Sequence, residues 1–144
     1  MTTKSTNDAC DTFSNFNPPL YRQRYTKALD ILTELKINTL IDFGCAELKF
    51  LNYVIAGNDV RLYSLNNIVG IDLDADLLEE FKDNIKPMGC QYLSKRFRPL
   101  EVDVFAGSIS AKDKRLKKLI KSQHIDQNSN KSKSRSMITM IELI

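Results

Sequence analysis

Four short apolar runs, separated by stretches of helical periodicity, constrain this chain more than any other feature. "NTLIDFG", "NIVGIDLD", "LEVDVFAGSI" and "MITMIELI" read as strands, the first, second and last of them buried. Strands that alternate with helices pair in parallel, because each helix carries the chain back to the edge where the sheet began. The expected fold is therefore α/β and doubly wound, with about four parallel strands covered by helices on both faces. In "NPPLYRQRYTKALDILTELK" the residues Tyr21, Tyr25, Ala28, Leu32 and Leu35 recur at helical spacing. They predict one inward face, with Arg22 and Arg24 on its shoulders and the proline pair at its start. "AELKFLNYVIAG" predicts a helix closed by Gly57. "ADLLEEFKDNI" predicts another, with Leu77, Leu78, Phe81 and Ile85 on one side and Asp74 as cap. "KDKRLKKLIK" is helix-like, whereas "SQHIDQNSNKSKSRS" loses apolar periodicity and reads as a loop. The layout expected is a disordered tail over 1–15 and one domain over 16–144, interrupted by a basic flexible loop at about 121–136.

Composition removes several classes of function. No apolar run approaches the roughly 20 residues of a membrane span, so no membrane partner is expected. The polar start, "MTTKSTNDACDTFSNFNPP", has no signal core. Cys10, Cys45 and Cys90 are odd in number and lack metal-ligand spacing, which points to reduced thiols in a cytosolic or nuclear protein, with a cytoplasmic setting expected. The net charge of +3 conceals an asymmetry, since residues 112–135 hold nine Lys/Arg against two Asp. That block reads as a solvated tract that could touch phosphates. His124, the sole histidine, has no acidic or nucleophilic partner patterned around it. Cys45 has no base nearby and reads as a small packing residue; Tyr53, Tyr63 and Tyr92 read as core or rim.

Ligands of such sheets bind at the carboxyl ends of the strands. The first end, "IDFGCAE", runs through Asp42 into Gly44, where a glycine lets the backbone turn tightly beside a ligand. A dinucleotide fingerprint would need glycines at 44, 46 and 49, and Ala46 and Lys49 break it. The second end, "GIDLD", places Asp72 to accept from both hydroxyls of a ribose, with Asp74 as helix cap, unless both are caps. The third, "FAGSI", offers Gly107 and Ser108 to an adenine ring. Together they describe an adenosine pocket without a phosphate cradle, which favours S-adenosylmethionine over NAD or ATP.

"FNPPLYRQRY", "IDFGCAE", "GIDLD", "FAGS", "DKRL" and "IELI", in this order, resemble the Hen-type small-RNA 3′-terminal 2′-O-methyltransferases of animals, which act on piRNA and siRNA. The resemblance covers roughly 16–119 and 137–144 and matches the N-terminal part of the catalytic domain, so it implies an incomplete, truncated Rossmann-like methyltransferase fold. It implies cofactor binding by Asp42, Gly44, Asp72 and Ser108, and a place near the RNA 3′ end for Phe16, Pro18, Pro19 and Arg24. Glu142 falls on the first glutamate of the family's Glu-x-x-Glu-His motif, a ligand of Mg²⁺ (or Mn²⁺) that grips the terminal hydroxyls. Ala46 stands where a second glycine is usual, and Leu48 where several relatives carry a hydroxyl. The resemblance further implies a monomer serving a single-stranded small RNA, delivered by a Piwi/Argonaute-family protein. With no complete catalytic set, the chain alone is expected to be inactive. The rival expectations are a non-catalytic fragment that binds cofactor or RNA, and a methyltransferase fold acting on a small molecule or protein.

Overall fold

A computed structural model describes residues 16–56, 62–85, 99–110, 112–122 and 134–141. Helix α1 spans Leu20–Glu34, strand β1 Thr39–Phe43 and helix α2 Lys49–Ala56. Strand β2 spans Asn67–Asp72 and helix α3 Ala75–Phe81, which tightens into a 3₁₀ turn over Lys82–Ile85. Strand β3 (Glu101–Ala106), helix α4 (Lys114–Ser122) and strand β4 (Ser136–Thr139) complete the order. The four strands form one parallel sheet in the order β3-β2-β1-β4. This is the Rossmann-like arrangement expected, and it reverses direction at β1, so a crevice opens where β1 and β4 leave the sheet.

Alternation along the strands sorts the apolar side chains into two layers. Leu40 and Ile68 face a larger core shared with Leu32 of α1, Phe50, Leu51 and Val54 of α2, and Leu78 of α3. Ile41, Phe43, Val69 and Ile71 face the other way, against Phe105 and Leu116 of α4. Every residue of β1 is buried, as a central strand requires, whereas β3 and β4 are half exposed at the edges. Each side chain buried as fully as Leu51 or Phe50 contributes roughly 1.5–3 kcal/mol by leaving water.

Four expectations need correction. In α1 the inward face is Tyr25, Ala28, Leu29 and Leu32. Tyr21 and Leu35 stay exposed because they lie in the first turn and at the C-cap, beyond the reach of the core. Helix α2 begins at Lys49, three residues later than the sequence suggests, because Ala46 and Leu48 take left-handed backbone angles (φ 44° and 61°) that no α-helix accepts. Strand β4 is neither buried nor eight residues long. Among the described residues it pairs only with β1, its last pair is Thr139 with Asp42, and Ile138 and Met140 are exposed. At the bounds of the expected basic loop, residues 121–122 belong to α4 and Ser136 to β4, and residues 123–133 lie outside the described residues. Residues 1–15, Gly57, Cys10, Cys90, Tyr92 and His124 lie outside the described residues.

Candidate cofactor site

Three strand exits meet at the carboxyl edge of the sheet, and the tip of β2 joins them. The Ile71 carbonyl accepts from the amides of Gly44 (2.8 Å) and Cys45 (3.3 Å). The Asp72 carboxylate accepts from the amide of Ala46 through Oδ2 (2.8 Å) and from that of Asp74 through Oδ1 (3.0 Å). The Asp72 carbonyl in turn accepts from the amide of Gly107 at 2.8 Å. Asp72 thus fastens the loop after β1 by its side chain and the turn after β3 by its main chain. The two acidic residues of "GIDLD" divide their roles. Asp74 caps α3, accepting from the Leu77 amide at 3.0 Å. Asp72 is half-buried and holds the loops.

The loop after β1 is bent hard. Gly44, Ala46 and Leu48 all have positive φ. Gly44 tolerates this freely, while for Ala46 and Leu48 it is strained and must be held by surroundings. Those surroundings are the Asp72 tether at Ala46 and the near-complete burial of Leu48. Ala46 thus occupies a conformation suited to glycine. Cys45 is buried, and burial, reinforced by the charges of Asp42 and Asp72, pushes its thiol up to about 12. A thiol so hard to ionise is a packing group and no nucleophile. Asp42 lies within β1, beneath the loop, fully buried, and its Oδ1 accepts from the Thr139 hydroxyl of β4 at 2.6 Å. Its place is under the floor of the site, tying β1 to β4.

Ser108 sits in the turn after β3, half-buried, and its hydroxyl accepts from the Ser110 amide at 3.2 Å. This turn is braced by residues whose chemistry was not foreseen. Arg115 donates from Nη2 to the Ala106 carbonyl (3.0 Å) and to Asp113 Oδ2 (2.7 Å), and its guanidinium lies 3.9 Å over the Phe105 ring. Paired with Arg115 and accepting from its amide, the Asp113 carboxylate is held down to about 2. Asp113 also approaches Gly107, where a Cβ would lie 3.7 Å from its Oδ2. The only sequence signal for this brace is the "DKRL" stretch itself.

The residues assigned to the RNA end divide. Phe16, Pro18 and Pro19 are exposed together ahead of α1, and the Gln23 side chain fixes them by donating to the Pro18 carbonyl at 2.6 Å. Arg24 is half-buried and donates from Nη1 to the Ile141 carbonyl at 3.2 Å. It lines a groove of about 600 Å³ between α1 and β4, with Lys27, Ile31, Met137 and Met140. Glu142 lies outside the described residues, and among the described residues no group of three His, Cys, Asp or Glu could hold a metal. Nor is any helix among them long and apolar enough to cross a membrane.

No protein-family model matches the chain. Its sequence is similar to three curated proteins named small RNA 2′-O-methyltransferase. The one from Drosophila melanogaster is 28% identical over 111 residues, 74% of this chain and 27% of that protein. The one from Xenopus tropicalis is 30% identical over 68% of this chain and 25% of its own length. The one from Schizosaccharomyces pombe is 31% identical over 67% and 25%. The similarity is thus to one part of the small RNA 2′-O-methyltransferases. It spans about a quarter of the length of these relatives. A crystal structure of the methyltransferase domain of bacterial CtHen1 is 28% identical, with a TM-score of 0.49 over 67% of this chain and 45% of that one.

Proposed function

We propose that the chain forms the cofactor-binding part of a small-RNA methyltransferase, with S-adenosylmethionine lying across the exits of β1, β2 and β3. The observation that carries this reading is the position of Asp72, which joins all three exits while keeping acceptor capacity. A carboxylate offers about four lone-pair sites. The amides of Ala46 and Asp74 take one on each oxygen, so each oxygen can still accept from one hydroxyl of a ribose cis-diol. Gly44, without a side chain, lets the ligand approach the backbone, and Ser108 stands at the adenine end. Asp42 acts from below, setting the angle at which β1 enters the loop. Once bound, the cofactor supplies an electrophilic methyl group.

The acceptor is the 2′-hydroxyl of the 3′-terminal nucleotide of a piRNA or siRNA, delivered in the cytoplasm by a Piwi/Argonaute-family protein. Phe16, Pro18, Pro19 and Arg24 receive that end, beside the exit of β4. Glu142 serves as one ligand of Mg²⁺ or Mn²⁺; it does not suffice alone, because such an ion wants about six oxygens.

Calorimetry with S-adenosylmethionine tests the reading. Asp72→Asn keeps an acceptor for the loop and is expected to bind roughly tenfold more weakly, the cost of about one hydrogen bond to a charged group. Asp72→Ala is expected to abolish binding, with circular dichroism confirming a folded chain. Undiminished binding by Asp72→Ala would rule the site out.

A further inference from the structure

Helix α4, "KRLKKLIKS", carries basic residues and no acidic one. Leu116 seats it on the second apolar layer, and Arg115 is committed to Asp113, Ala106 and Phe105. Lys114, Lys117 and Lys118 of the helix, with Lys112 just before it, are exposed, and among the described residues none has an ion-pair partner. Lys114 lies three and four positions from Lys117 and Lys118, so these like charges share one side of the helix and repel. The one acidic residue at the helix start, Asp113, lies just before it and is already taken up by the Arg115 amide and guanidinium. The repulsion among these lysines is locally unfavourable, and an anionic partner would relieve it.

The patch also has a direction. Its first residues adjoin the exit of β3, where Arg115 reaches the Ala106 carbonyl, so the lysines start at the same edge as the cofactor site and run away from it. A polyanion with one end at that site could follow them. We infer that the exposed lysines of α4 track the phosphates of a single-stranded RNA, on a surface separate from both the cofactor residues and the Phe16–Pro19 segment. The choice of RNA over other polyanions rests on the reading proposed above.

The test is fluorescence anisotropy of a labelled single-stranded RNA with the full chain, titrated across salt concentrations. Lys114→Gln, Lys117→Gln and Lys118→Gln combined should weaken binding roughly tenfold or more and lower the slope of log affinity against log salt by about 2, at ~0.7 per lost phosphate contact. Helicity should be unchanged, because all three side chains are exposed. A control pair, Lys36→Gln and Lys82→Gln, should leave the slope as it is. An unchanged slope in the triple variant, an equal loss in the control pair, or no RNA binding by the wild-type chain would overturn the inference. So would a triple variant that still binds RNA but no longer binds phosphatidylserine vesicles. Calorimetry with S-adenosylmethionine on the same triple variant should match wild type. Failure of the wild-type chain to bind that cofactor would count against the cofactor reading alone, with the lysine slope judged separately.

Discussion

The Asp113 carboxylate shows how one ion pair makes stability depend on pH. Its hydrogen bonds from the Arg115 side chain and amide hold it near 2 in the folded chain, against an ordinary 3.8. The folded value lies below the unfolded one, so the group's contribution is complete above about pH 4 and is lost as pH falls toward 2. Arg115→Met should flatten this part of the profile, which urea denaturation between pH 2 and 5 would show as a smaller difference from wild type at pH 2 than at pH 5. The effect will be modest, because more than half of the Arg115 side chain is open to water. At this scale the sequence was only partly informative. Asp72 was legible because an acidic residue at a strand tip is a local pattern. Its bond to Ala46 was not, since that depends on a left-handed bend which neither alanine nor leucine advertises. The Arg115 brace reaches a carbonyl nine positions earlier, a relation fixed by the strand exit and invisible in spacing.

Between elements, β2 and α2 meet at a glycine. A Cβ on Gly70 would lie 2.8 Å from Leu51 Cδ1 and 3.2 Å from Cys45 Sγ. Gly70→Ala should therefore cost about 1–3 kcal/mol as the helix or the side chains give way. Leu51→Ala is costly in itself, but Gly70→Ala should cost less in that background, a coupling that chemical denaturation of the double-mutant cycle would measure. The elements themselves were legible because strands of period two and helices of period 3.6 leave different traces. Their ends were less so: α2 looked longer because Ala46, Glu47 and Leu48 are acceptable helix residues, and their refusal of the helix comes from the Asp72 tether and the burial of Leu48. β4 looked buried because its residues are apolar, while exposure is set by its neighbours in the sheet.

For the molecule as a whole, the edge strand β4 is the surface most open to self-association. Ile138 and Met140 are more than half exposed, and among the described residues β4 pairs with β1 alone. An uncovered apolar edge is a template for pairing with another chain. Ile138→Lys should reduce concentration-dependent association in sedimentation velocity while leaving helicity unchanged; equal association in both proteins would clear this edge. The tip of β2 has a consequence of a different kind, for the order in which a chain made from its N-terminus can assemble. Every hydrogen bond joining the three exits is made by residues between Gly44 and Gly107, and the brace is complete at Arg115. A growing polypeptide therefore possesses the whole platform before β4 has been synthesised. A ligand held there would stabilise that early, three-stranded stage by mass action, giving the nascent chain a reason to settle before β4 arrives.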